Sequence, residues 1–200
     1  MPRIYSVRPT LSLKGRRFQG LRGFTGKPFH PPLTDFPIVC YSLAAVFDLI
    51  SHFAPSDDAK AQDFFAAATF VMVAGFIVGL GAATTGFFDW WKGIPRDRRS
   101  GPIGKAKHTQ VWRTINWHAT VMVAVTMITL IDLLLRIPSF DEARTQLAWL
   151  VLSVLAAALV LFGAAYGGTL VFEYGFNVEN VDEVWSESEH DHVRGERRAT

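Results

Sequence analysis

His30, Asp35, Asp89, His118 and Tyr174 are the side chains of this 200-residue sequence whose types and placement could do chemistry. Each stands at or near the end of a long apolar run. An ionisable group there is costly unless it turns inward and finds a partner. Two histidines from different segments suit axial ligation of a b-type haem, or a site shared with a carboxylate and a metal ion. The same groups could instead form a polar clamp, with His118 bonded to Asp89 or Asp35 and fixing helix order. A third chemistry is proton or quinone handling by His118 with Asp89. No internal repeat is apparent that would set His30 and His118 across a macrocycle, so the three readings stay open. The residues themselves name no cofactor, and none is the default expectation; haem b is a cofactor that the pair His30 and His118 could hold. A smaller polar set, Asp48, His52 and Asp132, lies toward the other ends of the runs, where Asp48 could pair with Arg136. His190 and His192 belong to an acidic tail and read as solvated.

These residues are positioned by four apolar stretches. Half of the residues are hydrophobic, and they are bunched into runs of a membrane's width. Such runs predict an all-α integral membrane protein: an antiparallel four-helix transmembrane bundle with extramembrane tails. The expected helices are about 36–53, 64–91, 111–135 and 146–172, within a transmembrane domain 30–174. A basic glycine-interrupted tail, 1–29, precedes it, and a polar acidic tail, 175–200, follows. The first tail lacks the apolar core of a cleavable signal. Its Lys and Arg suit anionic headgroups better than nucleic acid. The single cysteine, Cys40, excludes an intrachain disulfide and any cluster of cysteine ligands within the chain. Gly75 and Gly79 form a GxxxG pair, and with Gly86, Gly167 and Gly168 they mark helix faces expected to pack closely. Phe87, Phe88, Trp90 and Trp91 end the second run as an interfacial belt.

Lys and Arg concentrate in the N-terminal tail and in the loop between the second and third runs. The other two loops are short and acidic. The positive-inside rule then places both termini and the central loop in the cytoplasm of a bacterial cell, with His30, Asp35, Asp89, His118 and Tyr174 near the cytoplasmic surface.

The segments GKPFHPPLTDFPI, TGFFDWWKGIP and GGTLVFEYG, with the histidine that opens the third run, resemble a family of bacterial predicted membrane proteins of unknown function. The resemblance covers about residues 26–178. It implies four transmembrane helices, with a His-Pro start, a T-G-x-x-D-W end to helix two and a G-G-x-x-V-x-x-Y-G close. Some members are fused to, or encoded near, Rieske-type domains, which implies a redox setting. Many have a second histidine where this chain has Asp35, and an asparagine where it has Met122.

Two functions follow as expectations. The first is a non-catalytic membrane subunit that packs against or anchors a larger redox or photosynthetic complex, with lipid and other membrane subunits as partners and no nucleic acid. The absence of nucleophile, P-loop and dinucleotide motifs supports it and speaks against an enzyme. The second is a haem-binding or quinone-linked electron-transfer protein that uses His118 and His30. A transporter fits less well, because no broken helix is apparent at midplane.

Overall fold

The computed structural model describes residues 28–55, 59–93 and 110–178. Residues 1–27, most of the basic central loop and the C-terminal tail with His190 and His192 lie outside the described residues. Four helices carry the fold: α1 (His30–Phe53), α2 (Ala59–Gly93), α3 (Gln110–Arg136) and α4 (Leu147–Phe172). A single 3₁₀ turn, Ile137–Ser139, follows α3 at Pro138. All four helices are long and apolar enough to cross a membrane.

The first helix begins at His30, earlier than the start near residue 36 expected from the apolar run. Pro31 and Pro32 occupy its first turn, where the helix needs no N–H donors. His30 is therefore a helical residue with a fixed direction. In the bundle, α1 packs on α2 and α4, and α3 packs on the same two helices. Helices α1 and α3 therefore face each other diagonally across the bundle centre. The inner core joins Tyr41 and Ala44 of α1, Met72 of α2, Val121, Val125 and Leu133 of α3, and Val160 of α4. Large apolar side chains such as Phe36, Phe70, Ile77, Val123, Leu134 and Phe162 point outward. An outward apolar belt around an inward polar axis is what lipid as a solvent selects.

Helix α2 approaches α1 through glycine. A Cβ on Gly75 would stand 2.6 Å from Cys40 Cβ, and one on Gly79 would stand 3.1 Å from the Tyr41 hydroxyl. Gly168 behaves otherwise: it opens only toward Phe172 of its own helix.

The two halves of the bundle repeat one another, which corrects the expectation of no internal repeat. The buried residues of α1 include Pro37, Tyr41, Ala44, Ala45 and Asp48. Those of α3 include Val125, Thr129, Asp132, Leu133 and Arg136. The two sets match one to one at a constant offset, that of Asp48 and Arg136, 88 positions apart. His30 and His118 stand at the same offset. In the second helices, buried Ala68, Thr69, Met72, Ala82 and Asp89 match buried Trp149, Leu150, Ser153, Gly163 and Leu170 at another constant offset. The chain is thus two helical hairpins related by an approximate two-fold axis along the bundle. Counterparts meet across that axis: His30 with His118, Tyr41 with Thr129 and Asp48 with Arg136.

A histidine pair on the bundle axis

His30 donates its Nδ1–H to the carbonyl of Ala82 on α2, at 2.8 Å. His118 donates its Nδ1–H to the carbonyl of Gly163 on α4, at 2.9 Å. Ala82 and Gly163 are counterparts, so the two histidines are held in the same way by the two hairpins. In each case the residue four positions beyond the accepting carbonyl is glycine. A Cβ on Gly86 would lie 2.7 Å from His30 Cε1, and one on Gly167 would lie 3.3 Å from His118 Cε1. These glycines leave the helix surface open, so an imidazole can lie against it and reach a carbonyl already used by the helix ladder.

The bonds fix the chemistry of both rings. A carbonyl only accepts, so each Nδ1 carries the proton and each Nε2 keeps its lone pair. A ligating histidine anchored through its other nitrogen to a backbone carbonyl is the usual outer-shell arrangement at a metal. The ring centroids are 6.2 Å apart and the planes cross at 81°. With metal–imidazole bonds of about 2.0–2.1 Å, the range for zinc, and a ring centroid about 1.1 Å behind each nitrogen, two trans ligands have centroids roughly 6.2–6.4 Å apart. The observed separation of 6.2 Å falls in that range. No group of three or more His, Cys, Asp or Glu gathers as a metal site among the described residues. Two ligands leave a bare ion under-coordinated, whereas haem brings four equatorial nitrogens of its own.

The other residues of the expected cluster make no direct hydrogen bond to this pair among the described residues. The polar clamp from His118 to Asp89 or Asp35 is not formed, because the open carbonyl of Gly163 takes the His118 donor instead. Asp35 is exposed on the outer side of α1. Asp89 is buried on the inner face of α2, and its Oδ1 has no hydrogen-bond partner among the described residues. Tyr174 is half-buried just beyond α4, where its backbone N–H closes the helix end on Thr169. Trp90 Nε1 donates to Asn116 Oδ1 at 3.1 Å, tying the end of α2 to the start of α3.

At the other end of the bundle, Arg136 is wholly buried between Asp48 and Asp132. Its Nε and Nη2 donate to Asp132 at 3.0 and 2.9 Å, and its Nη1 and Nη2 donate to Asp48 at 3.1 and 2.9 Å. Thr145 Oγ1 donates to Asp48 at 2.8 Å. Ser51 accepts from the Thr145 N–H and donates to the Ala61 carbonyl, and His52 Nδ1 donates to the Thr145 carbonyl. This knot joins α1, α2, α3 and the approach to α4. Asp48 lies about 27 Å along α1 from His30, at 1.5 Å per residue. That span nearly equals a bilayer's hydrocarbon core, roughly 30 Å. The histidine pair and the arginine knot therefore sit near opposite membrane faces.

Sequence reasoning singled out His30, His118, Gly86 and Gly167 but did not join them. The joining signal was the spacing of small residues, Ala82-xxx-Gly86 and Gly163-xxx-Gly167, each opposite a histidine on the partner helix of its hairpin. Thr145 and Ser51 were missed altogether. A lone hydroxyl near a helix end carries no sign of the buried charge it serves.

A family model described as a predicted membrane protein, DUF2231, matches residues 26–180. No curated protein and no solved structure matches the chain.

Proposed function

Since the chain belongs to the DUF2231 family of predicted membrane proteins, whose description states no activity, we propose its function from the geometry: it is a b-type haem protein of the bacterial cytoplasmic membrane, with His30 and His118 as axial ligands. The observation that carries this reading is the pair itself: two rings 6.2 Å apart, each anchored through Nδ1 to a backbone carbonyl of its own hairpin. Haem held by two histidines supplies one-electron transfer without an open position for substrate. The protein's own part is to hold both Nε2 atoms in place, exclude water with the surrounding helices, and leave Gly86 and Gly167 flat beside the rings. A single centre near one face suits exchange with a partner subunit docked on that face, which the Lys and Arg pattern assigns to the cytoplasm. The packing or anchoring role expected from the sequence then describes the setting of this activity, not an alternative to it.

The test is spectroscopic. The full chain, purified in detergent from cells supplied with haem precursor, should show a Soret band that sharpens and shifts on dithionite reduction. His118→Gln and His30→Gln should each lose it while keeping their helical circular dichroism. The near-perpendicular rings add a signature. The oxidised protein should give the strongly anisotropic low-spin electron paramagnetic resonance signal of crossed imidazoles, not the rhombic signal of parallel ones. A colourless wild-type protein, reconstituted with hemin and still colourless, would refute the reading.

A further inference from the structure

We propose that Asp89 is the proton acceptor coupled to one-electron reduction of the centre between His30 and His118; this rests on the haem reading above. Asp89 is 6 % exposed, and its Oδ1 is buried without a partner among the described residues. The other two buried aspartates among the described residues, Asp48 and Asp132, are bonded to Arg136 through both oxygens. A buried carboxyl oxygen without a partner is therefore the exception among them, and it is costly to keep. The two-fold relation sharpens the point. The counterpart of Asp89 in the second hairpin is Leu170, which is 5 % exposed. The position is one of apolar packing in the fold, and the carboxyl is an addition made in one half only.

Its place links it to the histidines. Ala82, Gly86 and Asp89 lie along one inner face of α2. Ala82 accepts from His30, and Gly86 lies against the His30 ring. Asp89 is one turn further toward the membrane surface, about 4.5 Å along the helix axis from Gly86. Among the described residues, the other ionisable groups at this end are His30 and Asp35 on α1, Lys92 in the last turn of α2, Arg113 and His118 on α3, and exposed Glu173 and half-buried Tyr174 just beyond α4. Helix α4 lies diagonally opposite α2. Asp35, Lys92 and Arg113 are exposed. His30 and His118 keep Nδ1–H on carbonyls and would ligate through Nε2, so neither can take a further proton. Among the described side chains, that leaves Asp89 as the buried carboxylate acceptor.

The charge balance is simple. Haem, when bound, would supply a one-electron centre whose iron and macrocycle, its propionates aside, lose one positive charge on reduction. The Asp89 carboxylate would offset that charge in the oxidised state. On reduction by an external one-electron donor, Asp89 would take one proton from water and become the neutral acid, because a buried anion is disfavoured once its cation is gone.

The experiment is a potentiometric titration of the haem-loaded full-length protein at several pH values, in wild type and in Asp89→Asn. The expected wild-type result is a midpoint that falls by about 59 mV per pH unit over part of the range, one proton per electron. The expected D89N result is a Soret band like that of wild type with a potential independent of pH over that range. A redox-difference infrared spectrum of wild type should show a protonated-carboxyl band appearing on reduction, a readout that needs no variant. A pH-independent wild-type potential, an unchanged slope in D89N, or no carboxyl band would each overturn the proposal while the haem reading stands. Absence of a Soret band in wild type would instead remove the haem reading itself.

Discussion

Replacing Arg136 with methionine should be among the most damaging single changes in this protein. The guanidinium makes four bonds to two carboxylates, all between groups with 0 % side-chain exposure. It also stands 5.7 Å over the Phe65 ring, which stacks on Trp149 at 5.2 Å. Methionine fills a similar volume but leaves Asp48 and Asp132 facing each other without a cation. Breaking a buried ion pair by removing one member costs about 3–5 kcal/mol. At about 1.4 kcal/mol per tenfold, that is a shift of roughly a hundred- to a few thousand-fold in the folded-to-unfolded ratio. Because the knot also holds Thr145 through Asp48, loss of order should spread to the start of α4. The assay is SDS-driven unfolding from mixed micelles, followed by circular dichroism and by tryptophan fluorescence, to which Trp149 contributes beside the altered site. Two features separate this account from a generic packing defect. R136M should regain stability as pH falls, because a protonated carboxyl needs no cation. The triple variant D48N/D132N/R136M should lie much closer to wild type than R136M does, since replacing a whole buried network by neutral groups costs far less than breaking it. An R136M protein that unfolds at the same SDS fraction as wild type would refute the reasoning.

Three further predictions follow from the helix contacts and the charge pattern. Replacing Gly75 and Gly79 together with leucine should destabilise the bundle by at least about 1–3 kcal/mol, since a Cβ on Gly75 already lies 2.6 Å from Cys40 Cβ. Gly86→Ala should instead act locally, pushing the His30 ring from its place and lowering haem retention with little loss of helix content. Unchanged melting for the first variant, or full haem retention in the second, would contradict the close approach. For topology, a cysteine introduced at Ser56 or Ser139 in a Cys40→Ala background should react with a membrane-impermeant maleimide added to intact cells, while one at Ser100 should resist; the reverse pattern would invert the orientation.

The four spans could be read from the sequence because lipid imposes one requirement on every residue of a run, so the signal accumulates over each helix. The start of α1 was less legible. Pro31 and Pro32 read as breakers along a chain, but at a first turn they are helix formers, and that difference of position carried His30 into the helix. The two-fold relation was hidden for another reason. What repeats is burial, spacing and the histidine itself, while residue types diverged at matched positions such as Tyr41 and Thr129, Ala44 and Asp132, and Asp48 and Arg136. Asp48 and Arg136 touch and are complementary, so their match cannot be read as identity. The partners of His118 were misjudged because side-chain acceptors are visible in a sequence and a carbonyl uncovered by a glycine is not.

The pairing of Asp48 with Arg136 also limits how the molecule can be assembled. Two copies of the first hairpin brought together about the same axis would set Asp48 against Asp48 in a dry interior. Two copies of the second would set Arg136 against Arg136, each still bonded to its own Asp132. The first assembly would bury two carboxylates with no cation, whereas one hairpin of each kind gives Asp48 a share of Arg136. Charge therefore gives the first hairpin a preference for the second over a copy of itself. The covalent link through the central loop is then not what selects the correct pairing. Severed there, the first hairpin would still favour the second over a copy of itself, and the His30–His118 pair would form with it.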